Sequence, residues 1–123
     1  MATVFTDVGR AQLTSALNNT QLTSPTYIGW GTSSTAAAAS QTALQTASAE
    51  SRTNGTKSRI TTTVSNDTYQ VVGTITSAGS QTITEAALFD ASTSGNMYVR
   101  GVFTGIALGT GDSIAFTIKI VVA

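Results

Sequence analysis

Six carboxylates make up the acid–base inventory of this chain: Asp7, Glu50, Asp67, Glu85, Asp90 and Asp112. There is no His and no Cys, so the common nucleophilic triads and the thiolate or imidazole metal sites have no members to draw on. A carboxylate pair could still hydrolyse a glycosidic bond, and Glu85 or Asp90 would carry that activity. Asp67 and Asp112 stand where turns meet strands and Asp90 closes a strand, so hydrogen bonds to turn amides account for them. No segment has the spacing of a calcium loop. The glycine-rich "GTGD" at 109–112 precedes a strand and lacks a following Lys, which makes it a tight turn and not a phosphate cradle. No catalytic, cofactor-binding or metal-binding residue is therefore assigned, and no cofactor is expected.

The cations are as few as the acids. Arg52, Lys57 and Arg59 cluster around an Asn-Gly pair and read either as a solvated turn or as a contact patch for an acidic partner surface. Glu85 and Arg100 are expected to form an exposed cross-strand pair worth ~0.2–1 kcal/mol. Formal net charge is zero. That disfavours nucleic acid, which demands a basic excess, and leaves little self-repulsion to oppose association. Charged residues are only 10% of the chain against a usual ~25%, with Ser and Thr in their place, as on the outer faces of β-sheets. No apolar run approaches the ~18 residues of a membrane span. "MATVFTDVGR" lacks the pattern of a secretory signal, which predicts synthesis in a cytoplasm.

The elements that must position these groups follow from periodicity. At 123 residues a single domain is expected, with residues 1–24 as an N-terminal arm and short helix and 25–123 as a β-sandwich. Thr6 or Asp7 can cap a helix in which Val8, Leu13 and Leu17 share one side, and Asn18 and Asn19 can stop it. Gly9 weakens it by ~1 kcal/mol relative to Ala. "YIGWG" reads as a strand whose glycines mark a bulge or a close backbone approach. From about 33 to 57 runs a long Ala/Thr-rich loop, with a helical turn expected near Thr42–Thr46 and an Asn-Gly turn at Asn54 and Gly55. A loop of this length usually has a job.

Strand follows strand thereafter. "TITEAALFDASTSGNMYVRGVF" is a hairpin turning at "STSGN", with Phe89 and Val99 pointing inward. In "SIAFTIKIVV" the residues Ile114, Phe116, Ile118, Ile120 and Val122 share one face. The chain is thus expected to be all-β, a β-sandwich of jelly-roll-like type with one short N-terminal helix.

"YIGWGT" after a short helix, the Ala/Thr loop ending near a Glu and an Arg, the "EAALFDA…GNMYVR" hairpin and "LGTGDSIAFTIKI" together resemble small virion proteins of tailed bacteriophages. Some of these are capsid decoration (cement) proteins, and others are domains of tail fibres and tail tips. The resemblance spans roughly Thr6 to Val122 and implies a β-sandwich, no enzymatic activity and self-assembling partners. The role expected first is decoration: a homodimer or homotrimer on the capsid exterior, bound to the major capsid protein and stabilising the phage head. Leu44, Arg52, Lys57 and Arg59 are the contact candidates. The alternative is a tail-fibre or tail-tip subunit that recognises a host glycan, with Tyr27, Trp30 and Tyr98 as stacking platforms.

Overall fold

The computed structural model describes residues 2–20 and 23–122. Its strands form two antiparallel layers, as an all-β sandwich requires. The first sheet has five strands in the order β1 (Ala2–Phe5), β7 (Met97–Leu108), β6 (Gln81–Phe89), β2 (Tyr27–Gly31) and β3 (Thr53–Asn54). The second has three: β4 (Thr56–Ile60), β5 (Thr68–Thr76) and β8 (Ser113–Val121). One helix, α1 (Asp7–Leu17), links β1 to the rest.

Alternation decides which side chains lie between the layers. Ile28 and Trp30 of β2, Ile83 and Leu88 of β6, and Val99 of β7 meet Val71 and Ile75 of β5, all buried. Trp30 stands edge-on to Phe116 of β8, with centroids 6.3 Å apart and planes at 82°, a favourable aromatic geometry. Along β8 the inward Ile114, Phe116, Ile118 and Ile120 are half-buried while their neighbours are exposed. Val122, expected to extend that row, is 62% exposed because β8 ends at Val121.

The hairpin at 82–103 forms as expected and Val99 lies between the layers, but Phe89, expected to point inward too, is buried on the opposite face of the sheet with Ala87 and Met97. At its tip Ser94 and Gly95 take positive φ, and the Asp90 carboxylate accepts the Asn96 amide at 2.8 Å. The "GTGD" segment is indeed a tight turn: Gly111 has φ +87°, and the Asp112 carboxylate accepts the Gly109 amide at 2.7 Å. It carries the chain from one sheet to the other.

Several local expectations fail for identifiable reasons. Residues 2–5, assigned to an arm, form an edge strand in register with β7 (Ala2 opposite Val102, Phe5 opposite Val99). Asn54-Gly55 makes no hairpin: β3 and β4 lie in different sheets, and the chain steps between layers there. The Gly55 amide donates to Thr26 O at 2.7 Å, and a Cβ at Gly55 would stand 2.6 Å from Val71 Cγ1. No helical turn forms at 42–46.

The helix begins where expected. Thr6 caps it by accepting the Gly9 amide at 2.9 Å while its hydroxyl donates to Met97 O, tying the cap to β7. The expected apolar stripe is not what it buries, since Leu13 is 36% and Leu17 82% exposed. Gly9 is the buried contact instead. A Cβ there would lie 2.7 Å from Phe5 Cε1 and 2.8 and 2.9 Å from the backbone O and Cα of Tyr98. Helix propensity alone would reward Gly9→Ala by ~1 kcal/mol. Overpacking against backbone costs about 1–3 kcal/mol and prevails here, so Gly9→Ala should lower the urea midpoint. A raised midpoint would mean that the helix does not press on β7.

Candidate functional site

The outer face of the five-stranded sheet is roofed by the long loop, residues 32–52, and the register explains how. Tyr27, Gly29 and Gly31 of β2 lie opposite Phe89, Ala87 and Glu85 of β6. Side chains directly opposite share a face, so the two glycines leave open floor beside the three β6 residues. A Cβ at Gly29 would meet Leu44 Cδ1 at 3.2 Å and Arg52 Cγ at 3.3 Å. One at Gly31 would overlap Thr46 O and Glu85 Oε2 outright. The close approach expected of "YIGWG" is that of the loop backbone.

What holds the loop down is a buried ion pair. Glu85 and Arg100 side chains are both 0% exposed, with Arg100 Nη2 3.0 Å from Glu85 Oε1 and Nε donating to the same oxygen at 3.0 Å. Burial corrects the expectation of an exposed pair. The carboxylate also accepts loop amides: Gln45 N at 3.0 Å on Oε1, with Thr46 N at 2.8 Å and Ser33 N at 3.3 Å on Oε2. Arg100 Nη1 donates to Thr35 O and to Gln41 Oε1, each at 3.0 Å. The pair thereby grips both limbs of the loop. A buried carboxylate needs such donors to offset its lost hydration.

Secondary ties complete the roof. The Asp7 amide donates to Ala39 O at 2.8 Å, joining the loop to α1. Glu50 accepts Trp30 Nε1 at 3.0 Å, the Ala78 amide at 2.9 Å and Gln81 Nε2 at 2.8 Å. Arg52 lies flat on Phe89, its Cζ 3.4 Å from the ring centroid, and its Nη1 donates to Ala91 O and Ser94 O at 2.8 Å each. Leu44 packs with Tyr27 onto the small cluster of Ala87, Phe89 and Met97.

The four contact candidates thus divide. Leu44 and Arg52 are engaged in fastening the loop and the hairpin tip. Lys57 and Arg59 stand exposed on β4, where Lys57 Nζ is 3.2 Å from Ser24 Oγ. Two of the three stacking candidates, Trp30 and Tyr98, are buried, and Tyr27 is half-buried. Glu85 is saturated by donors beneath the loop. Asp90 is held by the Asn96 amide at 2.8 Å and by its side chain at 2.9 Å. Glu85 is fully buried beneath the loop, and Asp90 is half-buried in the hairpin tip. Among the described residues no group of three or more Asp and Glu could hold a metal ion.

One carboxylate outside the roof gives a pH handle. The Val64 amide, then that of Thr62 and more weakly that of Thr63, hold the Asp67 carboxyl well below its ordinary range, at 2.9, 2.8 and 3.0 Å. Glu50 is lowered in the same sense, chiefly by the Ala78 amide. A carboxylate whose folded pKa is depressed adds stability above its unfolded value of about 4, and that stability disappears as pH falls through the folded value. Urea midpoints should therefore be flat from neutral pH to about pH 5 and decline below about pH 4. Asp67→Asn should shallow that decline, and an unchanged acid limb would remove Asp67 as its cause.

Residues 5–122 match the family model described as "Podophage GP4 fiber I protein gp80". No curated protein matches, and no solved structure does.

Proposed function

We propose a role that proceeds from one premise: this chain belongs to the podophage GP4 fiber I protein gp80 family, and it works as a non-enzymatic structural module of a phage fibre. The family match over residues 5–122 is the observation that carries the reading. It favours the fibre alternative over capsid decoration, since the family's description is that of a fibre protein. The roofed sheet supports it physically. The long loop, the obvious place for a mobile lid, is fastened at Glu85, Arg100, Glu50 and Arg52. Such a surface can transmit load or present a fixed epitope without the entropy loss of ordering on contact. Host attachment through a glycan, on this reading, would use the exposed crest of the loop and not the buried Trp30.

Gold-labelled antibody on purified particles tests the assignment. Label is expected on fibres, at a few copies per attachment point. Label spread over the whole head, at hundreds of copies, would overturn it in favour of decoration.

A further inference from the structure

Asn54 is followed by Gly55, whereas the other four asparagines, Asn18, Asn19, Asn66 and Asn96, precede no glycine. An Asn-Gly bond is open to a spontaneous reaction, because the glycine nitrogen has no neighbouring side chain to hinder it. That nitrogen attacks the asparagine Cγ, its proton leaves with the carboxamide nitrogen as ammonia, and a succinimide ring remains. Water then opens the ring at either carbonyl. The products are aspartate and its β-linked isomer, in which the chain runs through the former side chain. Water is the one reactant consumed.

The fold sets this pair where the chain steps between layers. Gly55 lies between β3 of one sheet and β4 of the other. Its amide donates to Thr26 O at 2.7 Å, so the attacking nitrogen is already engaged. Asn54 sits in β3 opposite Tyr27, and ring closure requires its ψ to leave the extended value of a strand. Gly55 has little space to move through: a Cβ there would stand 2.6 Å from Val71 Cγ1 and 2.8 Å from Val72 O. The Asn54 side chain, by contrast, is exposed. What holds the bond unreactive is therefore the backbone, and its hold is local. β3 is two residues long, paired with Tyr27 and Ile28, and Thr53 Oγ1 adds one hydrogen bond to Thr74 O at 2.9 Å.

We infer that Asn54 is a modification site gated by the fold: its deamidation is suppressed in the folded chain and proceeds when β3 lifts or the chain unfolds. A site that reacts only through an open state has a rate scaled by the population of that state. The product does not suit the native structure. The β-linked form places one more carbon in the backbone between 54 and 55, which displaces Gly55 N from Thr26 O. Exchanging Gly55 offers no escape from the reaction, because the layers leave no room for a Cβ there. A chain left unfolded is thus altered at the step between its sheets and is hindered from refolding. The inference concerns the isolated chain, so it stands or falls separately from the fibre assignment.

Trypsin cuts after Arg52 and Lys57 and so releases residues 53–57 with the reactive bond inside. The full chain is incubated at mildly alkaline pH, folded or in concentrated urea, then digested, and this peptide is followed by mass and by its splitting into two chromatographic peaks. In urea it should convert as fast as the free synthetic pentapeptide. In the folded chain conversion should be at least about tenfold slower, the protection of a closed segment; equal rates in folded chain and pentapeptide overturn the inference. The fraction of urea-aged chain that refolds, read by circular dichroism, should fall as the β-linked peptide accumulates, while Asn54→Ser aged alongside should refold in full. Complete refolding of a fully converted parent, or the same loss from Asn54→Ser, rejects the claim that the modified chain is hindered from refolding.

Discussion

Arg100→Leu should destabilise the protein by about 3–5 kcal/mol, the loss typical when one member of a buried pair is removed and the other charge is left behind. The stranded group is Glu85, fully buried and still holding three loop amides. Glu85→Leu should cost a similar amount for the converse reason, since Arg100 would then lack its counter-charge and the loop amides their acceptor. The double replacement by Leu should cost distinctly less than the two single losses added, because no uncompensated charge remains. Urea unfolding of the four proteins measures the cycle. A single-variant loss below ~0.5 kcal/mol, the value of a surface substitution, would show that the pair is not buried as described.

Gly31→Ala should detach the roof while leaving every charge in place. The added methyl would occupy the positions of Thr46 O and Glu85 Oε2 and come within 3.0 Å of Glu85 Cδ, so the loop must rise. Overpacking costs about 1–3 kcal/mol, and losing a hydrogen bond to a charged acceptor adds about 1.5–3 kcal/mol. A total near 3 kcal/mol is expected, together with faster hydrogen exchange at the Gln45 and Thr46 amides. Gly29→Ala is the internal control. Its methyl would meet side-chain atoms and no backbone, Leu44 Cδ1 and Arg52 Cγ at 3.2–3.3 Å and Phe89 Cε2 at 3.5 Å, so a smaller loss is expected. Equal losses would locate the effect in glycine's backbone freedom and not in the space above Gly31.

These two experiments mark where the sequence was legible and where it was not. The β8 alternation, the 82–103 hairpin and the Thr6 cap all follow from short-range pattern, because period-two burial and turn chemistry are written in neighbouring residues. The grip of Glu85 on Gln45 and Thr46 joins positions some 40 apart in the chain, and nothing near Glu85 announces it. Glu85 and Arg100 look like one more polar pair on a hairpin; the roof above them is what changes their worth. The signal that could have exposed it was the pairing of Gly29 and Gly31 with a loop too long to be idle. Gly9 misled in the opposite direction, since its helix penalty masked its value as the contact with β7. Asn54-Gly55 carries hairpin chemistry, but the cross-layer step at Gly55 prevailed over that local preference.

The Lys57 and Arg59 side chains on β4 also limit how far any association could grow. A molecule with both flanks adhesive would stack edge to edge into an endless ribbon, the route to amyloid-like material. The two cations bar that route at β4, so replacing both by Thr or Val should make the protein precipitate at concentrations at which the parent stays dispersed.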